Sequence, residues 1–408
     1  MCKVKLIPWQ LGLLDIHFIQ TGRGVSAFYI FPDGTTLLVD AGDMSDTQTR
    51  VSTPRTSRRV PDFSRTAPGW IVEYIRRFGP HGMATKLDYA LITHWHDDHF
   101  GEIDAQSKLS KTGAYRMSGI MEVGDAIQID CLIDRGFAFP ILGQEDGTML
   151  DAAWQRDYVQ RTNDDGGLVA TINEYLKFVN YHKRHSGMRH ELFTVGSCEQ
   201  LVLKYAACDY PRFRIRNLCG GGRVWTGEAQ DNIVVVTRRD ENNLSAAFKL
   251  NYDAFKFFTG GDISGMDKST TQSDMDSMEA HVAPLIGAVD VATLNHHGSR
   301  DSCNPYYVRT LRPRVWIGQS WSSDQPGEDA FRRLISSKLY PNARDLYATD
   351  MLDSLKLVIG DVLDESYRSL HGHIVVRVQA GGQNYSVSVL DMYDEQWPLL
   401  ACRDYLAR

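Results

Sequence analysis

A dense run of potential ligands constrains this chain more than any other feature. Residues 91–100 read LITHWHDDHF, with three histidines and two aspartates at the end of an apolar stretch. In an extended strand, residues 94 and 96 point to the same side, and a following turn can bring residues 98 and 99 around. The alternative is a histidine-rich turn with capping aspartates, but such a turn rarely contains so many ligand-type side chains. We therefore predict a metal site that suits zinc, manganese or iron and is formed by His94, His96, Asp98 and His99.

The composition is that of a folded globular protein. The chain has 408 residues, of which 43% are hydrophobic and 23% charged, so a sizeable core is available. Its net charge of −7 gives no general attraction for polyanions, so a nucleic-acid contact would require a local basic surface or a bound cation. Seven cysteines without a C-x-x-C pair argue against a disulfide framework and favour a reducing compartment. Because no signal peptide and no apolar span of about 18 residues is visible, we expect a cytoplasmic protein without a membrane partner.

The order of elements predicts an α/β fold. TTLLVDAG and KLDYALITH read as buried strands, and GWIVEYIRRFG between them has helical spacing. Residues 44–67 are polar and arginine-rich, and we interpret them as a surface loop, with a local basic patch as the alternative. We treat 1–408 as one domain with an insertion or enlarged connection at about 104–225 and a C-terminal β-hairpin at about 371–392. Within the insertion, 198–206 reads as a strand.

Further ligand-type side chains stand at the ends of other predicted strands. Asp262 ends FKFFTGGD, His297 ends the strand in VDVATLNHHGS, and Asp40 follows TTLLV. Alone, each would be interpreted as a turn-capping aspartate or a satisfied buried histidine. Beside the histidine-aspartate cluster, Asp262 and His297 are predicted to complete a two-cation site, with Asp40 orienting a ligand histidine. His296 is the alternative ligand to His297, and we assign it and Ser299 to supporting positions.

Four motifs, LLVDAGD, THWHDDH, FTGGD and NHHGS, resemble in this order the metallo-β-lactamase superfamily. The resemblance is closest to the branch found in the ComEC-type competence DNA-internalisation protein, which also has a PDG…VDAG opening and an Asn-Asn-x-Ser segment like ENNLSAAFKL here. It covers roughly residues 13–104 and 228–325. It implies an αββα sandwich with two Zn²⁺ ions, Mn²⁺ or Fe being the alternatives. In that arrangement one ion is held by His94 and His96, the other by Asp98, His99 and His297, and Asp262 bridges them.

The chain departs from the family pattern between the first cluster and the bridging aspartate. Many family hydrolases have a further histidine there, after a glycine. His182, His185 and His190 lack that context, and we expect Asn243 to occupy nearby space. A His-Pro common after the later strand is Gln325-Pro326, and the glycine loop QTGRGVS lacks an acidic residue often found there. These departures weaken any transfer of substrate identity.

The expected chemistry is hydrolysis by a metal-activated hydroxide, because two neighbouring cations lower the pKa of a shared water from about 15.7 towards 7. Asp98 and Asp262 are the predicted catalytic residues, as ligands that also orient the water. The branch resemblance favours a phosphodiesterase or nuclease, with nucleic acid among the candidate substrates. The alternatives are an ester, lactone or amide hydrolase of the same fold, and a metal-binding protein without catalysis. We expect residues 104–225 and 319–326 to select the substrate.

Overall fold

Strands from both halves of the chain build two large sheets. A computed structural model describes residues 4–80, 86–136, 167–229, 232–235, 240–266 and 274–408. The described strands are, in chain order, β1 (Leu14–Phe18), β2 (Ala27–Ile30), β3 (Thr36–Val39), β4 (Lys86–Leu87), β5 (Tyr89–Leu91), β6 (Gln128–Ile129), β7 (Cys131–Asp134), β8 (Arg189–Leu192), β9 (Phe213–Gly220), β10 (Arg223–Trp225), β11 (Ile233–Val235), β12 (Ala247–Tyr252), β13 (Phe255–Thr259), β14 (Val291–Thr293), β15 (Val315–Gly318), β16 (Asp345–Ala348), β17 (Tyr367–Ser369), β18 (His373–Val378), β19 (Asn384–Leu390) and β20 (Leu399–Leu406).

Helices follow or separate these strands. The described helices are α1 (Ala67–Phe78), α2 (Asp97–Phe100), α3 (Gly119–Ala126), α4 (Gly167–His185), α5 (Met278–Ile286), α6 (Pro305–Leu311), α7 (Glu328–Ile335), α8 (Asp353–Ile359) and α9 (Val362–Ser366). The clearest sequence-predicted helix, α1, begins where Thr66 Oγ1 accepts the Gly69 N–H at 3.1 Å and ends at Gly79. None of the described helices has the length and apolar character needed to cross a membrane.

Each large sheet changes from antiparallel to parallel pairing along its width. The first has the order β20-β19-β18-β1-β2-β3-β5-β7-β8, and the second β11-β10-β9-β12-β13-β14-β15-β16-β17. Strands β3, β5, β7 and β8 are parallel, as are β13 to β17. Ligand sites in such sheets lie beyond the carboxyl ends of the parallel strands. Those ends are followed by Asp40, His94, Asp262, His297 and Trp321.

Three apolar layers hold the sheets and helices together. One lies between the two sheets, a second between the first sheet and helices α1, α3 and α4, and a third between the second sheet and helices α5 to α7. Full burial of each large side chain stabilises the fold by about 1.5–3 kcal/mol. The predicted αββα sandwich is thereby confirmed. Representative side chains are Phe18, Phe248 and Val291 between the sheets, Trp70, Ile120 and Ile172 outside the first sheet, and Val282, Tyr307 and Phe331 outside the second.

The predicted insertion is built into the sandwich. The described parts of 104–225 supply β7 and β8 to the first sheet and β9 and β10 to the second. The strand predicted at 198–206 is wrong, although Leu201 and Leu203 are buried as an alternating strand would require. The N–H of Lys204 donates to Thr35 Oγ1 at 2.8 Å, and that of Tyr205 donates to Asp33 Oδ2 at 2.8 Å. Side chains therefore satisfy the backbone donors that a neighbouring strand would otherwise pair.

The carboxyl-terminal strands extend the first sheet on the side away from β5. Strand β18 pairs antiparallel with β19, from His373 opposite Leu390 to Val378 opposite Tyr385, in the region predicted as a hairpin. It also pairs antiparallel with β1, so both ends of the chain contribute to one sheet.

A buried histidine, His373, begins strand β18. His373 is 2% exposed, its Nδ1 accepts the Gln20 N–H at 3.1 Å, and its ring lies 4.9 Å from that of Tyr74. Burial, with His17 nearby, lowers the pKa of His373 to about 3. The folded state therefore holds this imidazole neutral.

Acidification is expected to destabilise the fold through His373. The unfolded chain accepts the proton near the ordinary pKa, so the stability is present above about pH 6.5 and is lost as the pH falls towards about 3. Between about pH 7 and pH 5 the loss should be about 2 kcal/mol. Urea denaturation of wild type and His373→Gln at both pH values measures it, because glutamine keeps an acceptor for the Gln20 N–H but gains no proton. An identical pH dependence in the two proteins would contradict the assignment.

Candidate metal centre

The LITHWHDDHF segment folds as a strand end followed by one helical turn. Strand β5 ends at Leu91, and α2 begins at Asp97, so the peptide that carries His94 and His96 lies between them. Nε2 of His94 faces Nδ1 of His96 at 3.1 Å. His94 is fully buried, and its Nδ1 lies 3.2 Å from Ser245 Oγ, which leaves Nε2 to face the cluster.

Two glycine loops press against the backbone of Asp98. The Val25 N–H donates to Asp98 O at 2.8 Å. A Cβ at Gly24 would lie 2.2 Å from Asp98 O, and a Cβ at Gly42 would lie 2.0 Å from the same atom. Side chains at either position would therefore displace the Asp98 peptide. The glycines in TGRGVS and VDAGD thus allow the close approach that fixes Asp98.

Asp262 and His297 reach the same place from the second sheet. Asp262 follows β13 after Gly260 and Gly261, and its N–H donates to Ser245 Oγ at 3.0 Å. His297 has φ +56°, an uncommon left-handed conformation for a side chain of this size. Its Nδ1 donates to the carbonyl oxygen of Gln319 at 2.9 Å, which turns Nε2 inward.

All six predicted ligands come together, in two groups that share Asp262. Asp98, His99, Asp262 and His297 place one ligand atom each within 4.8 Å of one another, and His94, His96 and Asp262 do the same. In the first group, Asp262 Oδ1 lies 3.2 Å from His99 Nε2, and Asp262 Oδ2 lies 3.2 Å from His297 Nε2. Asp98 Oδ2 lies 3.0 Å from His297 Nε2 and 3.6 Å from His99 Nε2. This grouping agrees with the one implied by the family resemblance.

The donor set fits divalent cations. Nε2 of His99 and Nε2 of His297 are buried and make no hydrogen bond of acceptable geometry with any described group. Both nitrogens face carboxylate oxygens of Asp98 and Asp262 at 3.0–3.6 Å, an arrangement that a bound cation would satisfy. Imidazole nitrogens and carboxylate oxygens suit zinc, and ligands bound at 2.0–2.1 Å in a tetrahedron lie about 3.3 Å apart. The separations of 3.0–3.6 Å in the Asp98 group match that geometry.

Charges within the cluster are strongly coupled. Burial opposes ionisation of Asp262, but His297 and His99 hold the pKa of Asp262 well below its ordinary value. Burial also opposes the charge on His297, but the Asp262 and Asp98 carboxylates raise the pKa of His297 to about 10. Burial and the neighbouring His99 lower the pKa of His94 well below the ordinary value. Protons thus balance the carboxylates, and cation binding must displace them.

The predicted supporting residues are placed differently from one another. Asp40 accepts hydrogen bonds from the Thr93 N–H and hydroxyl and from His99 Nδ1, each at 2.7 Å, so its carboxylate orients His99 as expected. His296 lines the cavity beside the cluster, and its Nδ1 lies 2.9 Å from Asp301 Oδ1. Ser299 also lines this cavity.

Asn243 does not reach the cavity. Its side chain donates to Asp240 and accepts from Ser264, whereas its neighbour Asn242 lines the cavity and has Nδ2 3.3 Å from His296 Nε2. The three histidines of the 104–225 segment also lie elsewhere. His190 pairs with Asp134 at 2.7 Å, His182 Nε2 lies 2.9 Å from the Tyr115 hydroxyl, and His185 is exposed on α4.

An open cavity of about 780 Å³ lies over the cluster. Its walls are residues 49–56 and 321–325, which are joined by a bridge between Thr56 and Ser322. Part of the segment 319–326 thus lies at the cavity, and its role in selecting the substrate stays a prediction. No described residue of 104–225 lines the cavity, so the part expected for that segment has no support among the described residues.

Sequence reasoning missed three residues of the cavity. The Trp321 indole N–H donates to Asp98 Oδ2 at 2.9 Å, and the Arg50 guanidinium lies 5.4 Å from the Trp321 ring. Arg50 also pairs with Asp97 at 2.6 Å, and the exposed Arg55 lines the same wall. The only sequence signal was the arginine content of the 44–67 loop, which had suggested a basic patch as the alternative. Trp321 lies within the segment 319–326 that was expected to select the substrate, but no sequence signal marked its contact with Asp98.

Replacing Asp40 by asparagine is expected to weaken cation binding in the Asp98 group by about 10–100-fold. Thr93 Oγ1 and His99 Nδ1 both donate to Oδ2 of Asp40, and an amide in its place can no longer accept from all three donors. Competition with a chelating dye measures the affinity. Asp33→Asn is the matched control, because this buried carboxylate also accepts backbone N–H groups but lies outside the cavity. Wild-type affinity in Asp40→Asn would contradict the orienting role.

Comparison with known proteins gives one sequence match and several distant structural ones. No curated protein sequence matches this chain. A putative metal-dependent hydrolase from Parabacteroides distasonis is 12% identical, with a TM-score of 0.34 over 82% of this chain and 92% of that one. The metallo-beta-lactamase fold protein YhfI from Bacillus subtilis is 11% identical, with a TM-score of 0.34 over 82% and 96%. Zn²⁺-bound PqqB from Methylobacterium extorquens is 8% identical, with a TM-score of 0.33 over 86% of each chain.

The sequence match covers the first part of the candidate centre. The Metallo-beta-lactamase superfamily profile matches residues 20–126, which include the VDAGD loop and the whole of LITHWHDDHF. The large mixed sheets of the chain are consistent with the fold of that superfamily. The similarity to the superfamily therefore covers residues 20–126, which contribute His94, His96, Asp98 and His99 to the candidate centre.

Proposed function

We propose that the chain is a hydrolase that depends on two divalent cations and cleaves phosphodiester bonds. The observation that carries the proposal is the pair of ligand groups that share Asp262 at the floor of an open cavity with arginines in its wall. We propose His94, His96 and Asp262 as the ligands of one cation and Asp98, His99, His297 and Asp262 as those of the other. Zn²⁺ suits both groups best, because their donors are imidazoles and carboxylates.

Bound cations would supply Lewis acidity and make hydroxide available near neutral pH. The residues of the chain hold the ligand atoms in place for that chemistry. Asp40 fixes the ring of His99, the Gln319 carbonyl oxygen fixes that of His297, and the Trp321 indole fixes the Asp98 carboxylate. The free carboxylate lone pairs of Asp98 and Asp262 can accept a hydrogen bond from the attacking water. Because these groups are already oriented, little reorganisation is needed during reaction.

The cavity wall favours an anionic substrate. Arg50 and Arg55 lie along it, and the Arg55 side chain has no ion pair with any described residue. A guanidinium can bind two non-bridging phosphate oxygens in its plane. All other described lining residues except Trp321 have polar or charged side chains, so Trp321 is the only large apolar side chain among them. A small apolar pocket, which would favour a lactone or simple ester, is not what surrounds the cluster.

A substrate panel tests the proposal. The full chain is stripped with a chelator, reloaded with Zn²⁺ or Mn²⁺, and assayed with bis-p-nitrophenyl phosphate, single- and double-stranded DNA, RNA, cyclic nucleotides and a set of lactones. Phosphodiester turnover should appear only after reloading. His96→Ala should lose it, whereas His185→Ala, at an exposed histidine of α4, should keep it.

Two results would overturn parts of the proposal. If only lactones were turned over, the proposed substrate class would be wrong, but the protein would still be a hydrolase. Turnover that persists without added cation, or that survives in His96→Ala, would remove the mechanism itself.

A further inference from the structure

A buried carboxylate holds the peptide between two of the proposed ligands. Glu241 Oε1 accepts the backbone N–H of Trp95 at 2.7 Å, and Trp95 stands between His94 and His96. Glu241 is 8% exposed and reaches this peptide from the turn before β12, in the other half of the chain. The contact acts on the backbone whose direction sets where the two imidazoles point.

The charge of Glu241 is matched by a buried arginine. Arg135 Nε donates to Glu241 Oε1 at 2.8 Å, and Arg135 Nη2 donates to Oε2 at 2.6 Å. The Arg135 side chain is 1% exposed, and its guanidinium lies 5.7 Å from the Trp95 ring. A bidentate pair of this kind is more directional than a single hydrogen bond.

Trp95 is held at a second point by the same segment. Its indole N–H donates to the carbonyl oxygen of Gly136 at 3.1 Å, and Arg135 Nη1 donates to that same oxygen at 2.9 Å. The backbone and the side chain of Trp95 are thus fixed by residues 135–136 and 241 together. Residues 135 and 136 follow β7, within the segment whose role the sequence left open.

We propose that the Arg135–Glu241 pair is a positioning device for one cation site, the one formed by His94, His96 and Asp262. The pair clamps the Trp95 peptide, so that His94 Nε2 and His96 Nδ1 converge at 3.1 Å. The hydrogen bonds of the pair are to Trp95 and Gly136, whereas the Asp98, His99 and His297 side chains are held by Trp321, Asp40 and Gln319. This inference rests on the proposed two-cation site and assigns the 104–225 segment a part in it.

Cobalt titration of the cation-free full chain tests the device without an activity assay. Co²⁺ is followed by its visible absorption against a competing chelator, and His96→Ala identifies the binding step that belongs to the His94 site. In Glu241→Ala the Co²⁺ affinity of that step should fall by about 10–100-fold, and the affinity of the other step should stay within about twofold of wild type. Glu241→Gln, which keeps an oxygen for the Trp95 N–H but loses the ionic pair, should weaken the same step by a smaller factor.

The chain offers a matched control. Arg377 and Asp15 form another buried bidentate pair, with Nε donating to Oδ1 at 2.8 Å and Nη2 to Oδ2 at 2.6 Å, at the β1–β18 pairing away from the cavity. Asp15→Ala should leave both cobalt steps unchanged. The positioning role would be overturned if folded Glu241→Gln bound Co²⁺ with wild-type affinity in both steps. It would also be overturned if the Glu241 and Asp15 variants lowered the Co²⁺ affinity of both steps equally. If wild type bound no Co²⁺, the proposed cation site would fall with it.

Discussion

Replacing Asp262 by alanine is expected to abolish binding at both cation positions and to lower phosphodiester turnover by about 10³-fold or more. Asp262 is the residue common to the two ligand groups, and its Oδ2 lies 3.2 Å from His297 Nε2 in one group and 3.8 Å from His94 Nε2 in the other. The loss of one carboxylate therefore removes a ligand from each site. Steady-state turnover of bis-p-nitrophenyl phosphate and the metal content of the purified variant measure the two effects.

Asp324→Ala is the control for the Asp262 result. Asp324 is a carboxylate in the wall of the same cavity, but it pairs with the Ser322 hydroxyl at 2.7 Å and lies outside both ligand groups. It should retain two cations per chain. An Asp262→Ala variant that kept one tightly bound cation would show that the aspartate serves a single site and does not bridge.

Chelation is expected to lower the free energy of unfolding of wild type by about 5–8 kcal/mol, compared with protein in about 100- to 1,000-fold excess of free Zn²⁺ over the dissociation constant, because each of the two cations contributes about 3–4 kcal/mol. The cation-free cluster keeps Nε2 of His99 and His297 buried without good hydrogen bonds, and it brings the Asp98 and Asp262 carboxylates together. A cation bound only by the folded state removes both costs. Urea denaturation with and without chelator measures the difference.

The difference in stability between zinc and chelator should disappear when the shared ligand is removed. Asp262→Ala should unfold at the same urea concentration in zinc and in chelator, whereas Asp324→Ala should behave as wild type. Equal stability of wild type in both conditions would contradict a cation site built into the fold.

The convergence of the proposed ligands could be predicted from sequence because each of them follows a parallel strand. Apolar runs such as KLDYALI and FKFF mark buried strands, and the polar residues directly after them must lie at the carboxyl edge of a sheet. Asp262 and His297 follow two neighbouring strands, β13 and β14, so their proximity follows from the order of strands. The pattern of strands thus contains most of the site.

The cavity wall and the supports could not be predicted in this way. Trp321 contacts Asp98 across 223 positions, and Glu241 contacts Trp95 across 146. These contacts depend on how loops of different sheets pack, which no local periodicity records. The same limit explains why the strand predicted at 198–206 was wrong. Buried side chains alternate there without a strand, because side chains from elsewhere accept the backbone N–H groups of that segment.

Cation stoichiometry tests the central claim most directly. The full chain, stripped with chelator and dialysed against a slight excess of Zn²⁺, should contain two zinc ions per chain by elemental analysis. The proposed assignment of one cation to each of the two ligand groups predicts that number. A value of one ion per chain, or none, under conditions where the protein remains folded, would contradict the two-cation site.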